Sequence, residues 1–284
     1  MWKNRSRLLF AAGVGISGLI LLQMGMYTAH MLFGIDLSFN VFQICRYMLR
    51  SLGIEYVIYA LDGLVLYTFG LLLIKGIRQI LATRQAMARL SVMKNNMLSA
   101  KLNRRYAELG NRIIVIDYEE TYAFTIGMLN PHIVLSSGLL AMLDKQEEAA
   151  VVYHEAHHMR HYDPLKTWLI SLVSSAIWYV PVLGHILKHY KTAREVLADN
   201  EAITRTGSPA GIGSALLKLL RNPPSRAFRA STAYSSFAET SINYRISRIL
   251  DPHKDPAIKL PLTSVMVSGH MILGLTLLFA LALL

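Results

Sequence analysis

Long uncharged runs and the polar stretches between them set the first outline of the chain. Residues 8–33, "LLFAAGVGISGLILLQMGMYTAHMLF", contain 26 positions without an Asp, Glu, Lys or Arg. At about 1.5 Å of rise per residue, a helix of that length crosses a hydrocarbon core of about 30 Å. The run exceeds the roughly 7 to 15 apolar residues of a signal-peptide core and has no clear small-x-small cleavage site, so it predicts an uncleaved span. Residues 56–74, "YVIYALDGLVLYTFGLLLI", predict a second span, and the final 24 residues, "PLTSVMVSGHMILGLTLLFALALL", a third.

The pattern changes between the second and third runs. A basic helix is expected to about residue 109, followed by short β-branched stretches at 113–116 ("IIVI"), 123–127 ("AFTIG") and 132–136 ("HIVLS"). Asn130 and Pro131 supply the turn between the last two. Asp144 followed by Glu147 has the spacing of a helix cap and its reciprocal partner, so a helix is predicted to start there. It is expected to end near Asp163, because Pro164 disfavours helical dihedrals in the residue before it. "NPPSRAFRASTAYSSF" at 222–237 reads as an exposed loop. The fold class expected is a mainly α membrane protein with a small β-sheet. Residues 1–76 form an N-terminal transmembrane pair, 77–257 a cytoplasmic domain, and 258–284 a C-terminal transmembrane helix.

Composition agrees with a membrane class: 53% of residues are hydrophobic and only 17% charged. The net charge of +11 alone would also suit nucleic acid. Its placement favours membrane topology, since residues 75–105 carry eight Lys or Arg and no acid, directly after an apolar run. Lys3, Arg5 and Arg7 precede the first run in the same way. Both flanks are therefore predicted to face the cytoplasm of a bacterial cell, as parts of a multi-pass membrane protein that makes no direct contact with nucleic acid. The one cysteine, Cys45, excludes an intramolecular disulfide and a cysteine-rich metal site. Asp62, His30 and His270 lie within the predicted spans, where they would form a polar functional cluster or be satisfied by Tyr, Thr or Ser neighbours.

The chemistry concentrates in "VVYHEAHHMRHYDP", residues 151–164. On a helix, His154 and His158 are four apart and project from one face, where both imidazoles can grip a single zinc ion. Glu155 falls beside the metal, placed to take a proton from activated water and deliver it to a leaving amine. His157 and His161 share the spacing but lack a glutamate after the first histidine, so a solvated or structural role is expected for them. In "TAREVLADNEAI", Glu195 follows His158 by 37 residues and is the expected third ligand. Asp199, one turn further on the same face, can hydrogen-bond the second nitrogen of a ligating histidine. Two histidines and a glutamate leave one position open for water, the arrangement of a catalytic site holding one zinc per chain.

Three blocks, "AFTIGMLNPHIVLSSGLL", "HEAHHMRHYDPL" and "WYVPVLG...REVLADNEA", resemble the BlaR/MecR antirepressor family of integral-membrane zinc peptidases. The resemblance implies a gluzincin site with His154, His158 and Glu195 as ligands, Glu155 as base, and Asp163 and Asp199 as buried acids behind the ligands. It also implies that the strand before the zinc helix, His132, Ile133, Val134 and Leu135, is an exposed edge that pairs with the substrate backbone. The implied substrate is a cytoplasmic protein, a BlaI/MecI-like repressor, cleaved in a signalling pathway. Self-cleavage in the 222–237 loop is expected between Ser236 and Phe237. Tyr190, Arg194 and His185 are all candidates for stabilising the oxyanion. Members of the family carry a penicillin-binding sensor after the last span. This sequence stops at Leu284, so the signal is expected through the spans in the lipid bilayer, the short outer loop or a separate sensor protein. The alternatives are a membrane quality-control peptidase of the HtpX or CAAX-processing type, which four clear spans would favour, and a non-enzymatic zinc-holding scaffold, against which the intact Glu155 argues.

One geometric demand follows. The apolar segment 165–190 is long enough to cross a bilayer, yet one crossing would put Glu195 and the histidines on opposite sides. It is therefore expected to break near Pro181 and Gly184 and return, or to lie as a buried or interfacial helix, keeping the metal near the cytoplasmic membrane surface.

Overall fold

A computed structural model of the chain describes residues 2–33, 55–222, 244–249, 251 and 260–282. Nine helices among these residues account for most of the fold: α1 (Trp2–Phe33), α2 (Glu55–Val92), α3 (Asn96–Arg105), α4 (Ser137–Met142), α5 (Lys145–Arg160), α6 (Asp163–Ala176), α7 (Val182–Thr206), α8 (Pro209–Arg221) and α9 (Leu262–Ala282). Residues 244–249 are helical as well. Three short strands, β1 (Ile113–Ile116), β2 (Ala123–Ile126) and β3 (His132–Ser136), form one sheet. Two compact units divide the chain, one containing residues 1–6, 77–168 and 190–257, the other 7–76, 169–189 and 258–284.

Within the first unit the sheet has a helix on each face. Alternation along the strands sends Ile113, Val115, Ile133 and Leu135 to one side, where Val152, Ala156 and Met159 of α5 meet them. Ile116, Val134 and Phe124 turn to the other side and pack against Leu90 near the end of α2. β3 is the central strand, parallel to β1 and antiparallel to β2. The expectation that His132 to Leu135 form an exposed edge is therefore wrong, because β3 has a strand on both sides. β2 is the edge beside α5. The turn joining β2 to β3 needs Gly127, whose φ is +103° and whose added Cβ would sit 2.5 Å from the Asn130 carbonyl oxygen.

The basic helix expected to residue 109 is two helices. α2 continues without a break from its apolar half to Val92; Lys94 then bridges Ile116, and Asn95 caps α3 by accepting from the Leu98 amide. That cap satisfies an amide that would otherwise be orphaned at the helix start.

The zinc-motif helix α5 begins as its sequence demands. Asp144 accepts from the Gln146 and Glu147 amides, and the Glu147 carboxylate accepts in return from the Asp144 amide at 2.8 Å. Its far end differs from the expectation. α5 ends at Arg160, Tyr162 takes a left-handed φ of 52°, and Asp163 and Pro164 open α6. Proline suits the first turn of a helix, where its missing N–H has no intrahelical partner to lose.

The second unit holds the bulk of three helical segments long and apolar enough to cross a membrane: Trp2–His30, Tyr59–Val92 and Leu262–Phe279. Its outward apolar residues include Leu66 and Leu73 of α2 and Leu273 of α9, as expected for a surface facing lipid. Inside, polar groups pair: the Tyr27 hydroxyl donates to Asp62 at 2.6 Å and the Gln23 amide to Thr276 at 3.0 Å. Asp62 is thus satisfied by a tyrosine neighbour, and Nδ1 of His270 bonds the Met266 carbonyl of its own helix.

The segment 165–190 is a helical hairpin, not a span. α6 stops at Ala176, residues 177–181 form a bend, and α7 starts at Val182. Gly13 meets Ile170 of α6 and Ile186 of α7 together, while Arg194 further along α7 reaches back to Thr167 and the Asp163 carbonyl. The two helices are therefore antiparallel, and α7 carries Glu195 back to the unit that holds α5.

Glu147 ties the start of α5 to α8, with Lys218 Nζ at 2.6 Å and Ser214 Oγ at 2.5 Å from its carboxylate. Burial pushes this carboxyl up, but the hydrogen bonds from Lys218, Ser214 and the Asp144 backbone outweigh it and hold the group below its ordinary 4.5. Its folded-state value is depressed, so the stability it contributes is present above about pH 4.5 and is lost as pH falls through the folded value. Glu147→Ala should lower stability by about 2 kcal/mol near neutrality, with the difference from wild type shrinking towards pH 3, measured by thermal unfolding across pH.

Candidate metal centre

Three potential ligand atoms converge in the first unit. His154 Nε2 and His158 Nε2 are 3.2 Å apart, and the Glu195 carboxylate oxygens lie 3.5 Å from each. Ligands about 2.0 to 2.1 Å from a tetrahedral zinc sit about 3.3 Å from one another, so these spacings match three corners of such a site. Both histidines are buried, and the Glu195 side chain remains 28% exposed, leaving the cluster open on one side.

The outer nitrogens explain why the inner ones face each other. His154 Nδ1 lies 2.9 Å from Asp199, and His158 Nδ1 lies 2.8 Å from Asp163. A neutral imidazole that donates from Nδ1 to its carboxylate offers its Nε2 lone pair inward, beside the Glu195 carboxylate. Such a constellation calls for positive charge. Burial and Arg245 oppose a proton on His154, yet Asp199 and Glu195 raise its pKa to about 9. A metal ion competes with that proton for the same position.

Two arginines secure the acids. Arg245 binds Asp199 through two nitrogens at 2.6 and 2.8 Å and reaches Glu195 at 3.1 Å. Arg194 Nε lies 2.8 Å from Asp163, and its NH1 also donates to Thr167. Burial raises all three carboxyls, but Arg245 and His154 hold Asp199 down at about 2 and Glu195 well below its ordinary range, and Arg194 with His158 does the same for Asp163. Three carboxylates, Asp199, Glu195 and Asp163, thus face two guanidinium groups, and the excess negative charge favours a cation between the ligands. The donor set, the spacing and the charge all fit zinc.

Glu155 sits on α5 with its carboxylate directed to the edge strand. Thr125 of β2 donates to Glu155 Oε2 at 2.8 Å, and its hydroxyl lies 3.0 Å from the Glu155 carbonyl. The side chain is thus held in place and kept from folding back onto the ligands.

Most of the expected site residues meet here: His154, Glu155, His158, Asp163, Glu195 and Asp199. His132 to Leu135 do not, being the central strand. Ser236 and Phe237 lie outside the described residues. Of the oxyanion candidates, Arg194 is committed to Asp163, and His185 pairs with Ser264 in the other unit. His157 is not solvated but buried, its ring stacked on His161 at 4.1 Å, and burial followed by the neighbouring His161 and His158 lowers it to about 3. Thr125 and Arg245 were missed. Thr125 looks like any β-strand threonine, and Arg245 stands in sequence with no motif to mark it; only the need of buried acids for a cation could have pointed to such a residue.

A family model described as BlaR1 peptidase M56 matches residues 41–249, about three quarters of the chain. The chain belongs to this family. Among curated proteins it is similar to a "Protease HtpX homolog" of Acidiphilium cryptum, 26% identical over 141 residues, covering 38% of this chain and 49% of that one. Another "Protease HtpX homolog", from Ligilactobacillus salivarius, is 25% identical over 184 residues, covering 50% of this chain and 62% of its own. "Regulatory protein BlaR1" of Bacillus licheniformis is 28% identical over 75 residues, 26% of this chain and 12% of that one. The chain spans about half the length of the first of these relatives and a smaller part of BlaR1. The matched region of the M56 model contains every residue of the metal centre, Arg245 included.

Asp199→Ala and Asp163→Ala should each weaken zinc binding about 10 to 100-fold, because each frees a ligand ring to rotate or change tautomer. Competition with a chromogenic chelator measures this, and unchanged affinity in both variants would remove the role assigned to the acids.

Proposed function

We propose that this M56-family chain is a membrane-embedded zinc endopeptidase that hydrolyses a peptide bond of a cytoplasmic protein. The observation that carries the reading is the pair of facing Nε2 atoms, backed by Asp199 and Asp163 and completed by Glu195, with Glu155 on the same helix and its carboxylate held by Thr125. A structural zinc site has no need of such a base.

When bound, zinc would supply a Lewis acid that polarises the scissile carbonyl and makes water a stronger acid. Glu155 accepts a proton as the water oxygen bonds to the carbonyl carbon, and it returns that proton to the amide nitrogen as the C–N bond breaks. Carboxylate and amine are the products. Thr125 keeps the Glu155 carboxylate aimed, while Asp163 and Asp199 hold the ligand rings. Among the described residues no strand pairs with the outer edge of β2, so a substrate segment adding there would run alongside Glu155.

The basic segment 75–105 supports a cytoplasmic face for the peptidase unit of a bacterial membrane protein. Trp2 packs near Tyr244 within that unit, which supports the same side for residues 2–6. The resemblance to antirepressors makes a BlaI/MecI-like repressor the first substrate to test, with a separate sensor protein as the source of the signal. Similarity to HtpX homologues over about half the chain favours a second reading, a membrane quality-control peptidase.

Purified full-length chain in detergent should bind about one zinc and cleave casein. Glu155→Gln should keep the zinc and lose activity by about 10²- to 10⁴-fold. Thr125→Val should also keep the zinc, with kcat reduced about tenfold by the looser base. Absence of zinc from the wild type would end the proposal, and cleavage of a co-expressed repressor by wild type only would separate the two substrate readings.

A further inference from the structure

α1 continues as a candidate membrane span, but its first residues belong to the unit that holds the metal centre. Trp2 is buried there, at 6% exposure. The Arg5 guanidinium lies 5.3 Å from its ring centroid, and that of Arg248 lies 4.9 Å away. The Tyr244 ring completes the group, 6.4 Å from the indole and tilted by 47°. Tyr244 and Arg248 are one helical turn apart, so the indole covers one face of helical residues 244–249.

Arg245 leaves that same helical stretch to bind Asp199 and Glu195. The position of the stretch follows from what it packs against. Ile249 anchors one end against the cluster of Ala202, Ile212 and Leu216, and Trp2 anchors the Tyr244 and Arg248 face.

We propose that Trp2 is a positioning residue for the metal centre and acts through Arg245. The indole sets the depth of the 244–249 helix, and with it the reach of the Arg245 guanidinium to the acids that orient and complete the ligand set. This rests on the metal-centre reading above. Because α1 is one continuous helix from Trp2 to Phe33, a shift of that helix is delivered to Arg245 as a shift of its seat. Cation–π contacts with two guanidinium groups make the aromatic face, and not only the apolar volume, the feature that matters.

The test is a double-mutant cycle on full-length protein in detergent, with zinc affinity read by chelator competition. Trp2→Ala should weaken zinc binding about tenfold, the low end of what losing a residue behind a metal ligand costs. Trp2→Phe should restore it to within about twofold. In an Arg245→Gln background, Trp2→Ala should add nothing further. Should Trp2→Ala fail to fold, Trp2→Leu, which keeps apolar volume without the ring face, carries the same expectation. Unchanged affinity in the Trp2 variants would overturn the proposal, and so would a loss that adds in full to that of Arg245→Gln. A wild type without zinc would overturn the metal centre itself, an outcome distinct from wild-type binding with indifferent Trp2 variants.

Discussion

The hydrogen bonds from the two histidine Nδ1 atoms to Asp199 and Asp163 are the constraint on which the site depends. An imidazole has two nitrogens, and which one offers a lone pair is decided by what the other one donates to. Here both outer nitrogens face carboxylates, so both inner nitrogens turn to one another, 3.2 Å apart in a buried space. Two facing nitrogens next to a carboxylate call for a proton or a metal cation between them. The same carboxylates could not stay ionised in that space without compensation, since an unpaired buried charge is costly. Arg194 and Arg245 supply it from opposite ends, one from the residue beside Glu195 and the other from a separate helical stretch.

Chain topology makes these pairings possible. A single crossing by residues 165–190 would separate Glu195 and Asp199 from the zinc helix. The bend at 177–181 turns the segment into an antiparallel hairpin, and Arg194 bonded to Asp163 and Thr167 closes its base. One arginine therefore has two tasks: it fastens α7 to the start of α6, and it holds the acid that orients His158. Pro164 contributes by opening α6 one residue after the left-handed Tyr162, which turns the chain so that Asp163 comes under His158.

Much of this could be read in the sequence because the features are local or periodic. The capping pair Asp144 and Glu147, the four-residue histidine spacing and the uncharged runs each depend on neighbours along one helix. The demand that one metal bind residues 37 apart was enough to exclude a single crossing and left a return near Pro181 and Gly184 or a buried or interfacial helix, of which the structure shows the return. What escaped was set by pairing between elements. Strand order depends on which edges meet, and three short apolar stretches carry no record of it, so β3 was placed at the edge that β2 occupies. Pro164 was read as a stop when it is a start, since proline penalises the residue before it and suits the first turn after it alike. Arg245 and Thr125 touch the site only through tertiary contact, and each stands in sequence that gives no reason to notice it.

The strand correction alters the chemistry. Were β3 the edge, a peptide paired to it would approach the site with no link to the base. With β2 at the edge, the element open to a substrate backbone also carries Thr125, whose hydroxyl holds Glu155. Alternation along β2 places Phe124 in the core below the sheet and turns Thr125 to the zinc helix, so the register that buries one residue aims the next. A shift of one residue in the pairing of β2 with β3 would take Phe124 out of its cluster with Leu90 and Val134 and withdraw the hydroxyl from Glu155 together. The packing of the sheet and the placement of the base are therefore fixed by the same register, and a sheet able to slip could preserve neither.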